Sequence, residues 1–140
     1  MTTIYLIRHG QASFGAESYD KLSPNGELQA KLLGQYFNQI LKEEPYVVAG
    51  SMQRHQQTAN LALAECFPDT HIITNNAWNE FNHQQVFAQY EPRFNEPHLL
   101  KQDVENEANP RAYLAKIFEG AIERWTGGDY HHEYDESWPN

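Results

Sequence analysis

The run Thr3-Ile4-Tyr5-Leu6-Ile7, followed at once by Arg8-His9-Gly10-Gln11, most constrains what this chain can fold into. Its residues are apolar or β-branched without a polar alternation, the pattern of a strand buried on both faces in a parallel sheet. Gly10 lets the chain turn sharply, so Arg8 and His9 fall where that strand ends. In open α/β sheets, ligands bind outside the carboxyl ends of the strands. A guanidinium that forks onto phosphate oxygens, beside an imidazole able to act as a nucleophile, points to phosphoryl chemistry. Taken alone, the tetrapeptide reads equally well as an Arg-His pair on an ordinary surface loop.

The rest of the first half alternates as α/β proteins do. Ser23 is a good helix N-cap, with Pro24 at the first helical position. The helix is expected to run to about Lys42, with Leu28, Leu32, Leu33, Tyr36, Phe37, Ile40 and Leu41 on one apolar face. Pro45 ends it, and Tyr46-Val47-Val48-Ala49 reads as a second strand. Ser51 to Glu65 is a second helix, His71-Ile72-Ile73-Thr74 a third strand, and Asn75 to Asn82 a loop. Each strand thus ends at chemically capable residues: Arg8 and His9, then Ser51 to Arg54, then Glu80. Right-handed crossovers put the carboxyl ends of parallel strands on one edge of the sheet, so these groups are expected to share a cleft. From Phe81 to Asn109, Pro92 and Pro97 allow only short helices. Pro110 to Trp125 is amphipathic, with Tyr113, Leu114, Ile117, Phe118, Ala121, Ile122 and Trp125 inward and Gly127-Gly128 at its end. The tail from Asp129 to Asn140 is acidic and aromatic.

At 140 residues the chain is expected to form one domain, residues 1–140. Its formal net charge of −9 disfavours nucleic acid and anionic lipid as partners. An anionic ligand would have to be held by a few cations focused in a cleft, and Arg8 and Arg54 are the obvious pair. The lone cysteine, Cys66, excludes an internal disulfide and sits among apolar residues as a small hydrophobe. No segment approaches the ~20 apolar residues that span a bilayer. The start lacks the basic region of a signal peptide, and a cytoplasmic location is expected.

The segment from Ile4 to Ala30 resembles the amino-terminal signature of the histidine phosphatase superfamily, the phosphoglycerate mutase-like branch of phosphatases and mutases. That family carries Arg-His-Gly after its first strand and Leu-Ser/Thr-x-x-Gly at the start of its first helix, here Leu22-Ser23-Pro24-Asn25-Gly26. Its Ser-x-x-x-Arg-x-x-x-Thr-Ala signature is matched by Ser51 to Ala59, one residue shorter between Ser and Arg. Its acidic residue after the next strand is matched by Glu80 in Trp78-Asn79-Glu80-Phe81. The resemblance covers about the first 85 residues. It implies a three-layer α/β/α fold with a mostly parallel sheet.

The resemblance also implies roles. His9 would be the nucleophile, forming a phosphohistidine that water or a second acceptor discharges. Arg8 and Arg54 would clamp the nonbridging oxygens. Glu80 would protonate the leaving oxygen, which requires a pKa raised by burial against Phe81 or Trp78. Gln11 and Ser13 would add neutral hydrogen bonds to the phosphoryl group, or serve the turn instead. No cofactor and no metal are expected, because adjacent histidines such as His131-His132 diverge on an extended tail. His55 reads as a surface helix residue, and His83 as a loop residue that reaches the cleft.

Two departures from the family pattern matter. No His-Gly follows His9-Gly10, whereas the family's phosphate pocket includes a second histidine in such a pair after a late strand. The chain is therefore expected to end before that fold is complete, with an exposed sheet edge and apolar surface from Tyr130, Tyr134 and Trp138. A homodimer, a swapped carboxyl-terminal segment or a tail folded over the edge would cover them. Second, the glycolytic mutases carry Glu-Arg-His-Tyr-Gly at the acid position, and Glu80-Phe81-Asn82-His83-Gln84 lacks its arginine. The expected activity is hydrolysis of a phosphorylated small molecule. The alternatives are a phosphohistidine protein phosphatase and an inactive phosphate- or partner-binding domain.

Overall fold

Ser23 opens the first regular element as its side chain predicts: its Oγ accepts the Gly26 N–H at 3.1 Å. The computed structural model describes residues 2–13 and 20–136. The chain divides into two compact units, Met1–Asn79 and Glu80–Asn140.

In the first unit, helix α1 spans Pro24–Ile40, strand β1 Val47–Ala49, helix α2 Gln53–Cys66 and strand β2 Ile72–Thr74. The strands pair in parallel, with Val47 opposite Ile72 and Ala49 opposite Thr74, and α2 is their crossover. Helix α1 buries Gly26, Ala30, Gly34 and Phe37; of the apolar face expected of it, only Phe37 is buried and Leu33 is half-buried. Leu28, Leu32 and Tyr36 are each more than half exposed, at 54%, 53% and 55%. The reason lies in α2: a Cβ on Gly34 would overlap the carbonyl oxygen of Ala62, so small residues bring the two backbones together. Residues 11–13 and 21–23 also meet antiparallel, through an Ala12–Leu22 bridge and a Ser13 N–H donating to the Lys21 carbonyl at 2.7 Å.

The expected first strand, Thr3 to Ile7, is not a strand in the structure. Ile4 and Leu6 are each 80% exposed, whereas burial on both faces was expected. A strand becomes buried only between neighbours, and the sheet among the described residues has just β1 and β2. The segment instead lies against α1, with the Tyr5 ring edge-on to Phe37 at 5.3 Å.

The second unit is helical: α3 at His83–Tyr90, α4 at Pro97–Asn106 and α5 at Pro110–Thr126, with short turns at Pro92–Asn95 and His131–Glu133. Its core joins Val86, Ala121, Trp125 and Tyr134, with Phe81, Phe87 and Ile122 packed against them. Of the expected inner face of α5, Ala121 and Trp125 are buried, whereas Leu114 and Phe118 are exposed. Tyr134, expected at the surface, is 7% exposed because the tail returns to α5. Its hydroxyl accepts from Arg124 at 2.7 Å, and Trp125 Nε1 donates to the Glu136 carbonyl at 2.7 Å. Trp138 lies outside the described residues.

Candidate functional site

Two glycines bring the Arg8-His9-Gly10 corner onto the start of α1. A Cβ on Gly10 would overlap the Gly26 carbonyl, and one on Gly26 would overlap the Gln11 carbonyl. Both positions therefore require glycine because of a backbone approach. On the other side, Thr58 ties the same corner to α2. The Gly10 N–H donates to Thr58 Oγ1 at 3.0 Å, and that hydroxyl donates to the Arg54 carbonyl at 2.7 Å. Arg54 and Thr58 are four residues apart, so they share a helix face, and both are buried at 4% and 6% exposure.

This scaffold sets His9 beside Arg54. Arg54 Nε donates to His9 Nε2 at 3.2 Å, while His9 Nδ1 lies 2.7 Å from the Gly10 carbonyl oxygen. A carbonyl can only accept and a guanidinium N–H can only donate. Together they select the neutral imidazole with its proton on Nδ1 and its lone pair on Nε2. The Arg54 guanidinium also pairs with Asp20, Nη1 to Oδ1, at 2.7 Å. A buried guanidinium needs such a partner.

His55 is half-buried, not a surface residue, and its ring centroid lies 5.5 Å from that of His9. It packs against Gly50, where a Cβ would overlap His55 Nδ1. The turn between β1 and α2 is pinned from β2's far side by Asn79, whose Oδ1 accepts the Ser51 N–H at 2.8 Å. The carboxyl ends of the two parallel strands are thus stitched together next to Arg54.

The remaining expected site residues are placed as follows. Arg8 is exposed, and no hydrogen bond or ion pair holds its side chain among the described residues. Gln11 Oε1 accepts from Asn25 Nδ2 at 2.8 Å and from Ser23 Oγ at 3.3 Å, which commits that oxygen to the start of α1. Ser13 is half-buried and joins the 11–13 pairing through its backbone. Glu80 is exposed, and the burial expected for it is absent: Trp78 is itself 57% exposed, and the Phe81 ring stacks on Trp125 at 4.8 Å. His83 begins α3, its ring edge-on to Phe87 at 6.4 Å. Among the described residues no three of His, Cys, Asp or Glu are gathered as a metal ion would need.

Sequence reasoning did not single out Asp20 or Thr58 as site residues. Thr58 carried a usable signal, its i, i+4 spacing from Arg54. Asp20 carried none, because it lies between the Arg8-His9-Gly10 and Leu22-Ser23 motifs and belongs to neither. In comparison with known proteins, the family model of the histidine phosphatase superfamily (branch 1) matches residues 4–126. Neither the curated proteins nor the solved structures gave a match.

Proposed function

The chain belongs to the histidine phosphatase superfamily, and from that premise we propose that it hydrolyses phosphomonoesters through a phosphoryl group carried on His9. The observation that carries the reading is the His9 imidazole held at both nitrogens, with its lone pair on Nε2 beside the Arg54 guanidinium. Nε2 attacks phosphorus in line as the ester oxygen departs, giving a phosphohistidine and an alcohol. Water then attacks phosphorus, inorganic phosphate leaves, and the lone pair returns to Nε2. Arg54 exchanges its hydrogen bond to His9 for one to a phosphoryl oxygen, and Arg8 adds a second cation at the exposed side.

Glu80 is the proposed donor of the leaving-group proton, and the Gln11 amide and Ser13 hydroxyl the proposed neutral contacts. The three-layer arrangement belongs to the same reading, supported by the parallel β1–β2 pair with α2 as its crossover. In this scheme the charge is met by arginines and no metal is required. A second reading, a phosphate-binding domain without turnover, is favoured by the exposure of Glu80.

Turnover of a generic aryl phosphate, with and without a chelator, separates the two. Chelator-insensitive hydrolysis that disappears in His9→Ala supports the phosphatase. Retained binding of inorganic phosphate with no hydrolysis supports the second reading.

A further inference from the structure

Asp20 is used by no step above, yet both of its carboxylate oxygens are committed to the start of α2. Oδ1 accepts from Arg54 Nη1 and Oδ2 from the Gln53 backbone N–H, each at 2.7 Å. Met52, at the N-cap position of α2, offers no side-chain cap. A carboxylate from a distant segment therefore caps this helix, where negative charge is favoured.

The shape of a guanidinium decides what this does for Arg54. Nε and Nη2 form one of the two edges that can grip two oxygens of an anion, and Nη1 with Nη2 forms the other. Asp20 takes Nη1, and the edge bearing Nε faces His9 Nε2 at 3.2 Å. The Arg54 side chain is 5% exposed and that of Asp20 43%, so the charge is balanced from the solvent side. A carboxylate beside an anion site could instead compete with phosphate. Positioning is favoured because Oδ2 is fixed on the helix and Oδ1 on Nη1, which is not part of the Nε-bearing edge that faces His9.

We infer that Asp20 is a positioning residue: it clamps the Nη1 side of Arg54 so that the Nε edge is aimed at a phosphoryl group beside His9. The catalytic consequence rests on the phosphatase reading, whereas the clamp itself does not.

The test uses the full chain with Asp20→Ala and Asp20→Asn. Its first readout is the NMR signal of the Arg54 Nε–H, recorded without substrate. Its exchange with solvent is expected to speed up about tenfold or more in Asp20→Ala and less in Asp20→Asn. With an aryl phosphate, kcat is expected to fall about 10- to 100-fold in Asp20→Ala. KM is expected to move by less than about threefold, with partial recovery in Asp20→Asn. Unchanged Arg54 exchange overturns the clamp, and tighter binding of inorganic phosphate by either variant shows Asp20 to be a competitor instead. If the wild-type chain turns over no aryl phosphate, the phosphatase reading fails while the exchange rate still decides the clamp. Should Asp20→Ala not fold, as judged by circular dichroism, unchanged exchange in Asp20→Asn overturns the inference.

Discussion

Thr58 does two jobs with one hydroxyl, accepting from the Gly10 N–H and donating to the Arg54 carbonyl. Thr58→Val keeps the shape but leaves the buried Gly10 N–H without its acceptor. It is expected to cost about 1–3 kcal/mol in urea unfolding. A change below the error of that measurement would mean the hydroxyl does not hold the corner. Gly10→Ala forces a methyl group into the Gly26 carbonyl, and backbone cannot yield as a side chain can. A loss of about 1–3 kcal/mol is expected, together with a weakened response to phosphate because His9 is the adjacent residue. At Cys66, burial pushes the thiol pKa above its ordinary value, and the neighbouring Glu65 charge adds to this. Less thiolate is present at a given pH, so the alkylation profile is displaced to higher pH relative to an unfolded cysteine. Alkylation of the native protein as fast as in urea would contradict that.

At the scale of elements, the sequence was most legible where local chemistry decides. Ser23 and Pro24 mark the start of α1, and Pro110 and Gly127 bracket α5. Ser23→Ala removes the cap on Gly26 N–H and is expected to cost about 1 kcal/mol, readable as a lower midpoint in thermal unfolding. The face that a helix buries was less legible, because it depends on the partner. Counting leucines favours the Leu28, Leu32, Tyr36 side of α1, yet the helix buries Gly26 against the Gln11 backbone and Gly34 against Ala62 of α2. The Thr3 to Ile7 run fails for a related reason. Its composition suits a buried strand, but composition supplies no neighbouring strand. Of the site, His9 does meet Arg54, but not as the ends of two neighbouring strands, since Thr3 to Ile7 is no strand; Gly10, Gly26 and Thr58 hold the corner instead. The Asp20 contact was not expected, since Asp20 lies between the Arg8-His9-Gly10 and Leu22-Ser23 motifs and belongs to neither.

Across the whole molecule, the first unit leaves Ile4, Leu6, Leu28, Leu32, Tyr36 and Tyr46 open to water. Exposed apolar side chains favour association where they form one patch. The mass from light scattering is expected to rise with concentration towards that of a homodimer, and a monomer throughout the series would contradict this. No helix of the described residues is long and apolar enough to cross a membrane. The central claim is that a phosphoryl group passes through His9, on the nitrogen facing Arg54. It is tested most directly by mixing the chain with an aryl phosphate, quenching in alkali to preserve phosphohistidine, and sequencing the peptides by mass spectrometry. The account predicts the mass gain of one phosphoryl group on the peptide containing His9, lost on acid treatment and absent in His9→Ala. Hydrolysis that proceeds with no such species on His9, or a phosphoryl group lodged on another residue, would contradict it.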